Sequence, residues 1–521
     1  MLACILSLSV AAAVPVALPP GVPAGTPIVA VKIERHNVFD LSDPGSSAWP
    51  YRLANSLHIV TRERFIRSLL LFKVGDPLDP AKLAESARLL RATGFLSPVD
   101  IRVRKADGGA EVVVETHDQW TLEVSFNYGV YGNRQKAGLS LADTNFLGWG
   151  KTLAVETESN EERRFFTVAY TDPLFLGTRW RLGASRQDAS DGTADAFKLE
   201  YPFFALDTPR AGGVEFRRGS LKEWLYAAGH RAAGGDATRR TMQVWGGLKL
   251  GSSNTVVNRL TLGFFVDTAR FAGWTYRGGA PFPTPTDYAL QGVQVGWEHQ
   301  VDRWEVVQGF RAWVRQEDVP LGPNWEVTAG FSLPALGGDA GRVALHASTH
   351  RGVLRGRWYS WLDGAVDGRL DHGNPRNTVF HLEVGTARTG AVGWRGRIAA
   401  DVGHELDRDR QLTLGADVGL RGWNPDFFDG TSRVVGNAEF RRKLTGEVLH
   451  LAVFGVGVFA DAGKTWDPRV GPSTGGWRAD VGAGLTAEIT RAAILRIVRL
   501  EVAFPDDGSG PVFLATGGSL F

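Results

Sequence analysis

Several short stretches of this sequence have the spacing of catalytic loops, but their surroundings do not suit catalysis. Residues 471–475 read Gly-Pro-Ser-Thr-Gly, the G-x-S-x-G spacing of a serine nucleophile elbow. An elbow needs a strand before the serine and a helix after it, whereas residues 478–488 alternate as a strand does. Residues 482–487 match a dinucleotide fingerprint but lie inside that same strand-like run. The sequence therefore predicts neither a catalytic serine nor a bound dinucleotide.

Patterns for phosphate and metal binding fail for comparable reasons. The Gly-Lys-Thr triplets at residues 150–152 and 463–465 lack the earlier glycine of a phosphate-binding loop. The 11 histidines form no ligand-spaced pair on a predicted helix, and the one cysteine, Cys4, lies in the leading apolar stretch. We predict no catalytic residues, no cofactor and no metal site, and hence a protein that is not an enzyme.

Arg421 and Asp461 are charged residues, each set in a short phrase that contains glycine. Arg421-Gly422-Trp423 follows a strand-like run and opens a long loop, and Phe459-Ala460-Asp461-Ala462-Gly463 ends a later run. Asp461 shares one face of its strand with Gly455 and Gly457, which leave space for an inserted loop. A guanidinium can bind a carboxylate through two parallel hydrogen bonds. Alternatively, the first phrase is an ordinary Arg-Gly turn and the second a surface Asp-x-Gly turn, and the two residues do not meet.

The elements that would position these residues are strands. From residue 119 to residue 521 apolar and polar residues alternate with a period of two, as in 120–128, 293–298 and 411–418. A soluble β-sandwich shows the same alternation. Here, however, the apolar face is rich in the chain's 17 Trp and 28 Phe, and the polar face carries charges and glycines that would not fill a sandwich core.

These features predict an antiparallel transmembrane β-barrel over residues 119–521, with about 16 strands or more. We expect the final residue, Phe521, to help close it. Beyond residue 30 no run of about 20 uncharged apolar residues could form a spanning helix. The net charge of +2, with no basic block, gives no reason to expect nucleic acid as a partner.

Residues 28–118 predict one small α+β domain in front of the barrel, with the order strand, helix, helix, strand, strand. Residues 28–39 alternate as a strand does, and residues 99–116 alternate on both sides of Asp107-Gly108-Gly109, which predicts a hairpin. Residues 1–18 are expected to be a secretory signal peptide, although no basic residue precedes the apolar stretch.

The two helices of this domain have recognisable ends. Thr61 is predicted to cap a first helix that reaches Phe72. Asp79 suits the N-cap of the second helix, Pro80 its first turn, and Gly94 the left-handed residue after its end.

Some of these phrases resemble those of a known family. Residues 72–78, Phe-Lys-Val-Gly-Asp-Pro-Leu, together with 90–95, resemble a polypeptide-transport-associated (POTRA) domain. The phrases at 145–150 and 172–177, followed by those at 421–423 and 459–463, resemble the bacterial surface antigen superfamily. That superfamily includes the BamA and TamA assembly factors and the two-partner secretion transporters.

The resemblance implies a protein of a Gram-negative outer membrane, with its N-terminal domain in the periplasm. Such a protein inserts, assembles or translocates unfolded outer-membrane or secreted polypeptides, in contact with outer-membrane lipids and with periplasmic accessory proteins. It also implies that a loop holding Arg421, Gly422 and Trp423 folds into the lumen and meets the strand of Phe459, Asp461 and Gly463. Trp423 occupies the aromatic position of the Arg-Gly-aromatic motif, where Phe or Tyr is commoner in the superfamily. A passive channel and a structural or adhesive surface barrel are the alternative functions.

Overall fold

The computed structural model describes residues 16, 18–131, 134–160, 162–251, 253, 255–471, 476–493 and 497–517. Most of the predicted signal peptide, Phe521 and most of the G-x-S-x-G stretch at 471–475 lie outside these residues. Among the described helices, none has the length and apolar character needed to cross a bilayer.

The front of the chain folds as an α+β domain. Its sheet has the order β1-β3-β2, with β1 parallel to β3 and β2 antiparallel to it. Its second and third helices pack against one face of this sheet around a buried apolar core. Its elements are β1 Ile28–His36, α1 Trp49–Leu57, α2 Glu63–Leu69, α3 Pro80–Ala92, β2 Leu96–Ala106 and β3 Gly109–Asp118.

The second predicted helix and the hairpin are confirmed. Asp79 caps α3 by accepting a hydrogen bond from the backbone N–H of Ala81 at 2.9 Å. Gly94 is left-handed, with φ of 85°. Helix α1, however, was not predicted.

The prediction that Thr61 caps the first helix is wrong. Helix α2 begins at Glu63 and ends at Leu69, short of Phe72. Thr61 instead donates its backbone N–H and its hydroxyl to the buried carboxylate of Asp118, at 2.7 and 2.8 Å. A charged acceptor makes these stronger hydrogen bonds than a helix terminus would.

The same hydroxyl of Thr61 joins the front domain to the barrel. It accepts a hydrogen bond at 2.8 Å from the side chain of Asn145, which lies in the first turn of the barrel on the domain side. Asn145 also accepts from the backbone N–H of Gly150 at 2.7 Å, and the carbonyl of Gly148 accepts from Arg62 at 2.9 Å. The Asn145–Gly150 phrase is thus a docking turn for the domain.

The rest of the chain forms one large antiparallel sheet of twenty strands, whose order returns to its start as a closed barrel. This number agrees with the prediction of about 16 strands or more. The strands are β4 Leu122–Tyr131, β5 Arg134–Phe146, β6 Lys151–Ser159, β7 Arg164–Asp172, β8 Arg181–Ala189, β9 Gly192–Tyr201, β10 Arg210–Ala227, β11 His230–Leu250, β12 Val256–Tyr276, β13 Tyr288–Val301, β16 Asn324–Ser332, β17 Arg342–Arg355, β18 Trp358–Asp371, β19 Asn374–Arg388, β20 Val392–His404, β21 Ser432–Lys443, β22 Ala452–Trp466, β23 Arg478–Ile489, β24 Ile497–Pro505 and β25 Val512–Gly517. A separate hairpin, β14 Trp304–Val307 with β15 Glu317–Pro320, lies between β13 and β16.

The two faces of the sheet differ as the alternation predicts. On β19 the outward side chains of Phe380, Leu382 and Val384 are exposed. Between them, His381 and Glu383 point inward and bind side chains of β20. An apolar outer face with a polar, paired inner face is the pattern of a barrel surrounded by lipid.

A charge placed on the outward face should therefore destabilise the barrel according to its depth. Ile398, in the middle of β20, is 62% exposed, and Leu250, at the domain-side end of β11, is 44% exposed. Ile398→Arg should lower the free energy of unfolding in lipid vesicles by about 2–4 kcal/mol, and Leu250→Arg by about 0–1 kcal/mol. Urea titration followed by tryptophan emission measures both. Equal costs at the two depths would contradict a lipid-facing surface.

Candidate functional site

The chain between β20 and β21, residues 405–431, folds into the interior of the barrel; we call it the internal segment. Residues 411–418, whose alternation predicted a strand of the wall, lie in this segment and form no strand. Asp409 accepts a hydrogen bond from Arg239 of β11 at 2.6 Å. Gln411 donates to the carbonyl of Tyr226 on β10 at 2.9 Å. Arg421 reaches β22, which lies far from β10 and β11 in the strand order. Only a segment that crosses the interior can make all these contacts.

Arg421 binds the inner wall through Asp461. Its Nε donates to one carboxylate oxygen of Asp461 at 2.7 Å and its terminal nitrogen to the other at 2.9 Å. Both side chains are fully buried, with 0% of their surface exposed. The geometry is that of a bidentate guanidinium–carboxylate pair. Asn437 of β21 adds a 2.7 Å hydrogen bond to Asp461 and a 2.5 Å hydrogen bond to the carbonyl of Gly419.

Further charged groups extend this pair into a network on the same wall. Arg421 also donates to Glu501 of β24 at 3.2 Å and lies 3.5 Å from Glu439 of β21. Arg499 of β24 binds both oxygens of Glu439, at 3.1 and 3.2 Å. In this network each of the two guanidinium groups has carboxylate partners among Asp461, Glu439 and Glu501, and pairing of this kind is the condition under which buried charges are tolerated.

Small residues allow the segment to approach the wall this closely. The guanidinium of Arg421 lies over the ring of Phe459, 3.4 Å from its centroid. That ring in turn occupies the space where a side chain at Gly482 would lie. A Cβ on Gly422 would come within 2.6 Å of Asp480 of β23. A side chain at Gly422 or Gly482 would therefore displace the segment from its position against the wall.

Trp423 and Gly463 also contribute to the packing of the internal segment against the wall. Trp423 is buried in an apolar cluster with Leu414, Leu420 and Phe428 of the same segment. A Cβ on Gly463 would meet the side chain of Leu414 at 2.7 Å. The structure thus brings Arg421, Gly422, Trp423, Phe459, Asp461 and Gly463 together at one place on the wall.

A second insertion enters the barrel from the side of the front domain. We call residues 302–323, which contain β14 and β15, the mouth hairpin. Its Phe310 and Val319 share an apolar cluster with Tyr359 and Trp361 of β18. On the other side its Trp313 donates its backbone N–H to Glu488 of β23. The hairpin therefore spans the domain-side mouth of the barrel.

Gly455 leaves space for a side chain of the mouth hairpin. A Cβ on Gly455 would collide with the ring of Trp313. The sequence predicted space beside Asp461 for one inserted loop, and Gly455 provides space for a different one. Gly457 has no inserted side chain among the three atoms closest to its added Cβ within the described chain.

The mouth hairpin also binds the front domain. Arg91 of α3 donates to both carboxylate oxygens of Asp318, at 2.8 and 2.6 Å. Arg88 of the same helix lies 3.0 Å from Asp302. Arg315 donates to the carbonyl of Gly94, just after α3. Helix α3 is thus tied through one hairpin to the barrel interior.

The sequence had not singled out Glu439, Arg499, Glu501 or the mouth hairpin. Arg499 and Glu501 are two residues apart on β24, so they share its inner face, and this spacing was a usable signal. The hairpin carried no such signal, because its strands alternate like those of the wall.

Comparisons with known proteins give matches among solved structures. The chain is similar to BamA from Haemophilus ducreyi lacking POTRA domains 1-3, with 14% identity and a TM-score of 0.35, over 94% of this chain and 84% of that one. It is similar to CdiB from Acinetobacter baumannii, with 9% identity and a TM-score of 0.43, over 95% and 74% of the two chains. For CdiB from Escherichia coli the values are 12%, 0.46, 94% and 76%.

No protein-family model matches the chain, and no curated protein matches it.

The pairing of Arg421 with Asp461 predicts strong energetic coupling. Arg421→Ala and Asp461→Ala should each lower the free energy of unfolding by about 3–5 kcal/mol, because each leaves a buried charge without its partner. The double mutant should be no less stable than the worse single mutant. Urea titration of the four proteins in lipid vesicles gives the coupling energy.

The matched control is the exposed pair Arg376–Glu405, whose atoms lie 2.8 Å apart with half of each side chain in solvent. Its coupling energy should stay below about 1 kcal/mol. If the coupling of Arg421 with Asp461 were no larger, the pair would not hold the segment.

Proposed function

We propose that this chain is an outer-membrane protein of a Gram-negative bacterium that inserts or translocates other polypeptides. The observation that carries the proposal is the internal segment tied to the wall through Arg421 and Asp461. In the resembled superfamily, a lumen loop with an Arg-Gly-aromatic tip meets an Asp of this kind. The substrates would be unfolded outer-membrane or secreted polypeptides, and no nucleotide is needed.

The front domain, in our proposal a POTRA domain in the periplasm, captures the substrate. Strand β2 lies at the edge of its sheet, so an extended peptide can add to it as a further strand. A groove of about 810 Å³ runs along this edge, between Val99–Arg104 and Trp304–Val306 of the mouth hairpin. The exposed apolar side chain of Val306 lines it opposite the polar backbone edge. The groove therefore offers both backbone hydrogen bonds and apolar contacts.

The two insertions then control what the barrel can do. The mouth hairpin occupies the domain side of the interior, and the internal segment is held against β21–β24. Substrate that occupies the groove contacts the hairpin directly, because Trp304 and Val306 form one wall of the groove. In the proposed mechanism, the Arg421 network stabilises the competent barrel while the hairpin or a seam between strands opens.

A passive channel is less well supported. A channel needs a continuous water-filled path, whereas side chains of both insertions pack on opposite walls of the interior. A structural or adhesive surface protein would have no use for the edge groove on the domain side.

Photo-crosslinking in intact cells tests the proposal. A photoreactive residue in place of Arg104, which is exposed on β2 and lines the groove, should trap unfolded outer-membrane or secreted polypeptides. The matched control is His372, 84% exposed in the turn between β18 and β19, at the opposite end of the barrel. The trapped chains are identified by mass spectrometry.

In an Arg421→Ala background, trapping at Arg104 should persist, because capture precedes the step at the barrel, while substrate that reaches its final location should decrease. The proposal fails if Arg104 traps no more polypeptide than His372 does.

A further inference from the structure

Three metal-ligating side chains meet on the front domain, outside the barrel interior. His36 ends β1, while Glu115 and His117 lie two residues apart on β3. Strands β1 and β3 are parallel neighbours, and His36 lies directly opposite His117. Residues two apart on a strand point to the same face, so all three side chains leave one face of the sheet.

The separations of the ligand atoms fit one metal ion. Nε2 of His36 lies 3.3 Å from Oε1 of Glu115, and Nε2 of His117 lies 3.4 Å from the same oxygen. All three ligand atoms lie within 4.8 Å of one another. A zinc ion bound tetrahedrally holds its ligand atoms roughly 3.3–3.6 Å apart, given bond lengths of about 2.0–2.2 Å. Two of the three separations therefore already have the required length.

A second contact orients the carboxylate. The guanidinium of Arg102, on the neighbouring strand β2, contacts Oε2 of Glu115. This leaves Oε1, the oxygen that faces both imidazoles, as the ligand atom. Partners that fix the unbound oxygen or nitrogen of a ligand are typical of protein metal sites.

We infer that His36, Glu115 and His117 form a binding site for a divalent transition metal of the zinc type, with a fourth position open to water. The two imidazole rings are now stacked, with centroids 4.3 Å apart and planes at 14°. On binding they turn so that both Nε2 atoms point at the ion. Sequence spacing does not reveal this site, because His36 and His117 meet only through the pairing of β1 with β3.

Such an ion would fasten the first strand of the domain to the strand that leads into the barrel. Strand β3 ends at Asp118, and the barrel begins at Leu122. The inference does not depend on what the barrel transports.

Titration with Zn²⁺ of the full chain, folded in detergent micelles and without a histidine tag, tests the site. One ion should bind per chain, and backbone hydrogen exchange should slow in β1 and in the end of β3. Co²⁺ in the same site should give the intense visible absorption of a tetrahedral complex. His36→Ala and His117→Ala should each abolish binding, and Arg102→Ala should weaken it by about 10- to 100-fold.

The control variant is His372→Ala, since this exposed barrel histidine lies outside the cluster. It should bind Zn²⁺ as the unmodified chain does. A heat-dependent shift in gel mobility verifies that each variant is folded, and Arg102→Ala keeps all three ligands should a histidine variant fail to fold. The inference is overturned if no Zn²⁺ binds to the unmodified chain, or if binding survives in His117→Ala.

Discussion

The arrangement inside the barrel depends on one buried guanidinium. Arg421 has no exposed surface, so it cannot keep its charge unless carboxylates surround it. Asp461, Glu439 and Glu501 meet this need, and they come from three strands of one wall. The need for close approach then explains the small residues, Gly422 on the segment and Gly482 beneath Phe459. Charge neutralisation and small size are thus two parts of one constraint.

Two segments enter the barrel, one from each end, and different kinds of contact attach them to the wall. The internal segment is anchored by charges in a dry site. The mouth hairpin is anchored by an apolar cluster with Tyr359 and Trp361 and by ion pairs that remain partly accessible, such as Arg91–Asp318. Partly solvated ion pairs contribute less than buried ones. Buried polar groups also hold the hairpin, since Arg441 of β21 donates to the carbonyls of Gly309 and Phe310. The hairpin is the insertion in contact with the front domain.

The front domain is attached to the barrel by polar groups and by apolar contacts, since Ala493 and Leu174 of the barrel pack against the core of the domain. Asp118, at the end of β3, accepts from Thr61, and Thr61 accepts from Asn145 of the barrel. Glu115 and His117, two members of the proposed metal cluster, lie on this same strand, just before Asp118. Changes at that end of β3 therefore act directly on the connection between domain and barrel.

The sequence by itself determined much of the architecture. Period-two alternation states which face of a strand is apolar, and this predicted the large antiparallel sheet and the inward direction of Asp461. Asp79, Pro80 and Gly94 bounded α3, because capping depends on neighbours along the chain.

Only the tertiary structure decided which residues meet. Alternation specifies the face of a strand but not its partner or register, and these are set by the whole sheet. Hence Glu439 and Arg499, 60 positions apart, pair only in the folded wall, and His36 meets His117 only because β1 lies beside β3. Thr61 illustrates the same limit: a helix-capping hydroxyl would accept from a backbone N–H nearby in sequence, whereas this hydroxyl donates to the carboxylate of Asp118, which is distant in sequence.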